Sequence, residues 1–154
     1  MNNDFYHVDH PARNNIVYEY AGFWVRFAAH LVDGVLFLLV VLPILYLTYG
    51  DAYFSSDEHS FGVVNVLVTW VLPIVMTIWF WLKKGATPGK MLFGLKVLDD
   101  KTGNYLTVGQ SLVRYFGYIL SSLVFGLGYI WAAFDKKKQS WHDKLAKSVV
   151  VRER

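Results

Sequence analysis

The run from Val35 to Tyr49 carries no charged side chain, and just ahead of it stand Arg26, His30 and Asp33. Its fifteen residues reach roughly 22 Å as a helix, whereas a bilayer core is about 30 Å thick. A span built on this run must therefore draw the Ala28–Asp33 turns into the slab. That puts Asp33 in the hydrocarbon and Arg26 at its cytoplasmic edge. At about 100° per residue, Arg26, His30 and Asp33 share one stripe of the helix. Ionisable groups at this depth mark either a functional site or a buried ion pair, and the residues leave both readings open.

The chain has 154 residues, enough for one domain. It is 55% hydrophobic, in long blocks, which points to a small polytopic membrane protein and away from a soluble domain. It has no cysteine, which excludes disulfides and thiolate metal sites. The net charge of +3 comes from Lys and Arg concentrated after residue 82. In an apolar chain that reads as membrane orientation, not nucleic-acid binding.

Residues 1–17 are polar and mixed in sign, and read as a loosely attached tail with no signal peptide. Residues 18–151 form the membrane domain, and 152–154 its end. Tyr18, Tyr20, Phe23 and Trp24 suit the headgroup level. The first span covers Phe23 to Tyr49, with a kink expected at Pro43. The loop Gly50–Ser60 holds Asp51, Asp57 and Glu58 without Lys or Arg, and faces away from the cytoplasm. The second span covers Phe61 to Leu82, and Trp79, Trp81, Lys83 and Lys84 mark a cytoplasmic interface. In the lysine-bearing loop that follows, Phe93–Leu98, the turn Asp99–Gly103 and Tyr105–Thr107 predict a small cytoplasmic β-hairpin. Thr107 and Gln110 form a capping box that starts a helix.

Val108 to Phe134 is the third apolar segment. A single crossing would put the basic tail (Lys136, Lys137, Lys138, Lys144, Lys147, Arg152, Arg154) outside, against the positive-inside rule. A break at Gly126-Leu127-Gly128 gives a re-entrant hairpin instead, with both ends cytoplasmic. The same-side arrangement also lets Ser148–Val151, which reads as a strand, pair with the 93–107 hairpin. The expected fold is thus an all-α membrane protein with two transmembrane helices, a third apolar segment that is either a single span or re-entrant, a small β-hairpin and a basic tail.

Arg26 and Asp33 lie about 10 Å apart along the helix, and Arg26 leans away from Asp33, so they do not pair directly. Asp33 needs His30, Arg114 of the third segment or a polar tail residue as its mate. An Asp held between desolvation and a nearby cation can exchange H⁺ for a hard cation such as Na⁺. Gly85–Lys90 lacks the spacing and the Ser/Thr of a P-loop and reads as a turn. Ser140 and Asp143 form an acidic capping box. His142 beside Asp143 is too little for a metal site, and His7, His10 and His59 are isolated. The sequence calls for no cofactor and shows no catalytic constellation, so the chain is not read as an enzyme.

Ala21–Gly34 (AGFWVRFAAHLVDG), Thr87–Lys90 (TPGK), Gly94–Val97 (GLKV), Arg114 and Trp141–Ala146 (WHDKLA) together resemble the RDD family, over about residues 18–151. These are small, mainly bacterial membrane proteins named for one arginine and two aspartates. By resemblance, Arg26 and Asp33 are the first R and D. The second aspartate matches Asp143 best, with Asp135 as the other candidate. Trp141 stands where the family often has Leu, and Lys147-Ser148 where Gly-Thr is common; neither change removes a named residue. The resemblance implies a membrane domain for which transport has been proposed, with some members similar to Na⁺/H⁺ antiporters. The expectation is a transporter or cation/proton exchanger of the cell (inner) membrane, N-terminus cytoplasmic, using Asp33 with Arg26, His30, Arg114 and Asp143 around it. Two or three helices are few for a pathway, so a homo-oligomer is expected. The alternative is a non-transporting scaffold or assembly factor that binds other membrane proteins.

Overall fold

The computed structural model describes residues 5–6, 18–55, 62–124 and 126–153. Most of the N-terminal tail, Asp57, Glu58, His7, His10 and His59 lie outside these residues. In chain order the elements are β1 (Phe5–Tyr6), β2 (Tyr18–Tyr20), α1 (Phe23–Tyr49), α2 (Ala52–Ser55), α3 (Val63–Lys83), α4 (Pro88–Leu92), β3 (Leu95–Asp99), α5 (Val108–Leu123), α6 (Leu127–Ala133), α7 (Trp141–Leu145) and β4 (Ser148–Glu153).

Two helices, α1 and α3, are long and apolar enough to cross a membrane, and the bent pair α5–α6 would make a third if it counts as one span. Their apolar side chains are largely exposed: Leu39, Leu47, Val63 and Trp70 all face outward. In water that exposure would be prohibitive, and in lipid it is the expected state. Pro43 leaves α1 unbroken. In α3 the turn at Leu67–Val71 widens to π geometry just before Pro73. Proline has no N–H to return to residue 69 and crowds that carbonyl, and a widened turn relieves the clash. At the α2 end the helices are tied by Asn65, which accepts from Tyr53 and Thr69 at 3.2 and 3.0 Å, while Tyr49 accepts from the Asn65 N–H at 3.2 Å.

The other end is a sheet of order β1-β2-β4-β3, all antiparallel, so the chain is mostly helical as expected but carries a small sheet in place of the expected hairpin. Tyr18 and Tyr20 are not interfacial anchors. They are buried strand residues, with Tyr18 opposite Glu153 and Tyr20 opposite Val151. The expected 93–107 hairpin does not form: β3 pairs with β4, Leu98 opposite Val149. The reason is burial. Val149, Val150 and Val151 are all fully buried, as only a central strand covered on both faces permits, so β4 takes the place beside β3. Leu106 instead packs inward with Ala21, Ala29, Trp81, Leu95, Val97 and Val150. The opposite face gathers Tyr18, Tyr20, Leu98, Val149 and Val151.

The sheet gathers the N-terminal segment, the loop after α3 and the C-terminal strand at one end of the molecule. The third apolar segment starts and finishes there too. The Thr107–Gln110 capping box is closed, and the Gln110 amide reaches Ala146 O at 3.2 Å. Gln139, beyond the segment's far end, donates to Ser148 O at 2.9 Å. Between them the chain turns by 113° from α5 to α6. This is a segment that leaves the sheet and returns to it.

Candidate functional site

Arg26, in the first turn of α1, and Arg114, in the middle of α5, converge on Asp143 of α7. Arg26 reaches Oδ2 at 2.5 Å and Arg114 reaches Oδ1 at 2.5 Å. Asp143 is completely buried, and Arg114 nearly so. One further bond holds the carboxylate and another holds the Asp143 main chain. Ser140 N–H donates to Oδ2 at 2.9 Å, closing the capping box of α7, and the Ser148 hydroxyl donates to the Asp143 carbonyl at 3.3 Å. The arginines are held in turn. Arg26 donates to Ala21 O at 2.9 Å and Val150 O at 3.4 Å. Arg114 donates to Ser148 and to the Tyr118 hydroxyl, and lies over the Trp81 ring, 5.3 Å from its centroid. Burial alone would raise the Asp143 pKa, but the Arg114 and Arg26 charges hold it far below the ordinary carboxylate range. This ion triad ties α1, α5 and α7 together beside β4.

Asp33 is elsewhere. It lies two turns along α1, where α4 packs against it. Thr87 Oγ1 donates to Asp33 Oδ2 at 2.6 Å, and the Gly89 N–H donates to Oδ1 at 2.7 Å. Among the described residues Asp33 therefore pairs with none of its expected mates. Arg114, the first candidate, is taken by Asp143. The close approach depends on Gly89, because a Cβ there would lie 2.2 Å from Ala29 O and 2.8 Å from Asp33 Cγ. The Thr-Pro-Gly turn that resembled a failed P-loop is thus the cradle of the Asp33 carboxylate.

Asp33 borders a cavity of about 820 Å³ between α1, α3 and α5. Its walls are apolar, with Phe37, Val40, Leu72, Met76 and Phe80 among them, and its polar end holds His30, Thr87, Lys90 and Tyr118. A second cavity of about 520 Å³ extends toward Arg26, Arg114 and His142. His30, Lys90, Tyr118 and Tyr129 line both. The Tyr118 ring stacks on His142 at 4.0 Å and stands 5.7 Å from His30. Burial, together with the charges of Arg114, Lys90 and Arg26, pushes the His142 pKa down to about 3 against the opposing pull of Asp143. Asp135, the other candidate second aspartate, pairs with Lys144 and caps the N–H groups of Lys137 and Gln139. Among the described residues no group of three His, Asp or Glu side chains is placed to hold a metal.

A family model described as the RDD family matches residues 20–147. The chain belongs to the RDD family. Two Bacillus subtilis relatives cover nearly all of it. The uncharacterized protein YxaI is 33% identical over 147 residues, spanning 85% of this chain and 96% of the relative. The uncharacterized membrane protein YteJ is 34% identical over 147 residues, spanning 90% and 85%. The proline-rich antigen of Mycobacterium leprae is 24% identical over 161 residues, spanning 92% of this chain and 65% of the antigen. No solved structure gives a significant match. With its two apolar helices, this RDD chain is a membrane protein.

The structure divides the three residues that the resemblance pointed to as the arginine and two aspartates between two places. Arg26 and Asp143, 117 positions apart, meet in the triad, while Asp33 faces the cavity. His30 lies between them and touches both cavities. Sequence reasoning missed Lys90, Tyr118 and Tyr129 as site residues. Lys90 had a signal, since it follows the Thr87–Gly89 turn directly. Tyr118 had one as well: it sits one turn after Arg114, on the same helix face.

Proposed function

We propose that this RDD protein is a transporter or cation/proton exchanger of the cell membrane, with Asp33 as the group that carries the exchanged ion. The observation that supports this reading is the setting of Asp33: a carboxylate held by two neutral donors at the border of a large cavity between the spanning helices. Asp143 cannot serve, because two arginines neutralise it. Among the described residues Asp33 has no cationic partner, so its charge remains available to a proton or to a hard cation such as Na⁺. One H⁺ leaving the carboxylate as one Na⁺ arrives is an electroneutral exchange. The chain acts by binding and release, not as an enzyme.

The N-terminus is cytoplasmic in this reading. Lys83 ends α3, Lys84, Lys90, Lys96 and Lys101 follow it, and Lys136, Lys137 and Lys138 precede α7. All lie in the segments that the sheet end gathers, so the positive-inside rule orients that end inward. Two spans do not enclose a pathway, and a homo-oligomer closes it. The test is a Na⁺ pulse to everted membrane vesicles carrying a respiration-driven pH gradient. Wild type collapses part of the gradient and Asp33→Asn does not; equal collapse by both removes Asp33 from the mechanism.

One observation favours the second reading, a scaffold or assembly factor for other membrane proteins. In α5 the polar residues Ser111, Arg114 and Ser121 are buried, while Leu112, Phe116, Ile119 and Leu123 face outward. That face meets lipid or another helix. Co-purification of a stable membrane partner, lost in Phe116→Ala, with no flux by the pure protein, would select this reading.

A further inference from the structure

Lys90 is only 1% exposed, and among the described residues its ammonium has no hydrogen-bond partner. It lines both cavities. A buried ammonium without a partner is costly, and native proteins keep one only where something neutralises it. Of the carboxylates nearby, Asp143 is neutralised by two arginines, and Asp33, at the border of the larger cavity, is held by Thr87 and Gly89 and among the described residues forms no ion pair with Lys90. The side chains around Lys90 in the shared wall, His30, Tyr118 and Tyr129, bring no negative charge. The larger cavity is walled by the apolar side chains Phe37, Val40, Leu72, Met76 and Ile119, carried by helices whose other apolar side chains are largely exposed.

We propose that this cavity binds the anionic head of a lipid, with Lys90 as its counter-ion and one acyl chain along the wall between α1, α3 and α5. The volume of about 820 Å³ is ligand-sized, within the range of about 300–1,000 Å³ common for small-molecule sites. Its one-ended polarity matches an amphiphile. His142 stays neutral at physiological pH beside the smaller cavity, so the fixed charge that draws the head is the Lys90 ammonium, backed by Arg26 and Arg114. This site stands whether or not Asp33 exchanges ions.

The test uses full-length protein in a neutral detergent. Thermal unfolding is followed with phosphatidylglycerol, phosphatidylcholine or inorganic phosphate added, and native mass spectrometry counts retained lipid. At a 100-fold excess over Kd, phosphatidylglycerol is expected to raise Tm by about 5–10 °C. Phosphatidylcholine and inorganic phosphate are expected to leave it unchanged. Lys90→Gln is expected to lose the shift and at least tenfold of the retained anionic lipid, and Lys90→Arg to keep both. Met76→Trp, which fills the apolar wall without touching Lys90, is expected to lose retention as well. Equal shifts from both lipids, an equal shift from phosphate alone, or full lipid retention by folded Lys90→Gln would overturn the proposal.

Discussion

Replacing Asp143 by Asn keeps the shape of the side chain and removes its charge. The remaining oxygen still accepts from the Ser140 N–H, so the cap of α7 survives and the change isolates the ion triad. Breaking a buried pair by removing one partner costs about 3–5 kcal/mol, because a buried charge is left uncompensated. Here two arginines lose their counter-ion, but both keep other acceptors: Arg26 has Ala21 O and Val150 O, and Arg114 has Ser148 and Tyr118. The losses share one carboxylate and do not add, so the expected total stays near that range. For a domain of this size it lowers Tm by about 6–20 °C. Melting in detergent, read by the fluorescence of the buried Trp81 against which Arg114 packs, measures it. Asp135→Asn is the control, since its pair with Lys144 is partly exposed and is expected to cost less than about 1 kcal/mol. A melt of Asp143→Asn within about 1 kcal/mol of wild type would refute the triad as the tie between α1, α5 and α7.

Stability also follows the pH. The folded His142 has a pKa of about 3 against an ordinary value of 6.5, so the unfolded chain binds the proton first. Its contribution is complete above pH 6.5 and is lost as the pH falls toward 3, at about 1.4 kcal/mol per unit. Asp143, also depressed, adds to the loss once the pH drops below the ordinary carboxylate range. The slope between pH 6.5 and 4 is expected to flatten in His142→Asn, which denaturant titrations at several pH values check. Gly89→Ala is expected to push α4 off α1 and abolish Asp33-dependent flux, with the Trp81 signal retained; normal flux would show that the cradle is dispensable. Cross-linking in native membranes is expected to trap a homo-oligomer, and a strict monomer would count heavily against transport.

The long apolar helices were legible from run length alone, and the capping boxes at Thr107 and Ser140 from residue type and spacing. So was β4, although not its place: the triple valine announces a strand covered on both faces, yet only the fold shows that it displaces Tyr105–Thr107 as the partner of β3. Tyr18 and Tyr20 misled, because amphipathic rings ahead of a span suit the headgroup level as well as a buried strand. Arg114 and Asp33 each needed a partner, and pairing them was natural in one dimension. Nothing local told that α7, 117 residues beyond Arg26, folds back to supply the carboxylate that both arginines share. Lys90 was visible as a surface lysine of a basic loop; its burial follows from the packing of α4 on Asp33, which no periodicity reveals.

The account stands or falls on Asp33. Purified protein in liposomes with an internal pH dye, given an inward Na⁺ gradient and no other protein, tests it directly. Wild type is expected to alkalinise the lumen as Na⁺ enters and H⁺ leaves, and Asp33→Asn to give a flat trace with its melting temperature retained. A flat wild-type trace from folded protein, or an Asp33→Asn trace equal to wild type, would contradict it.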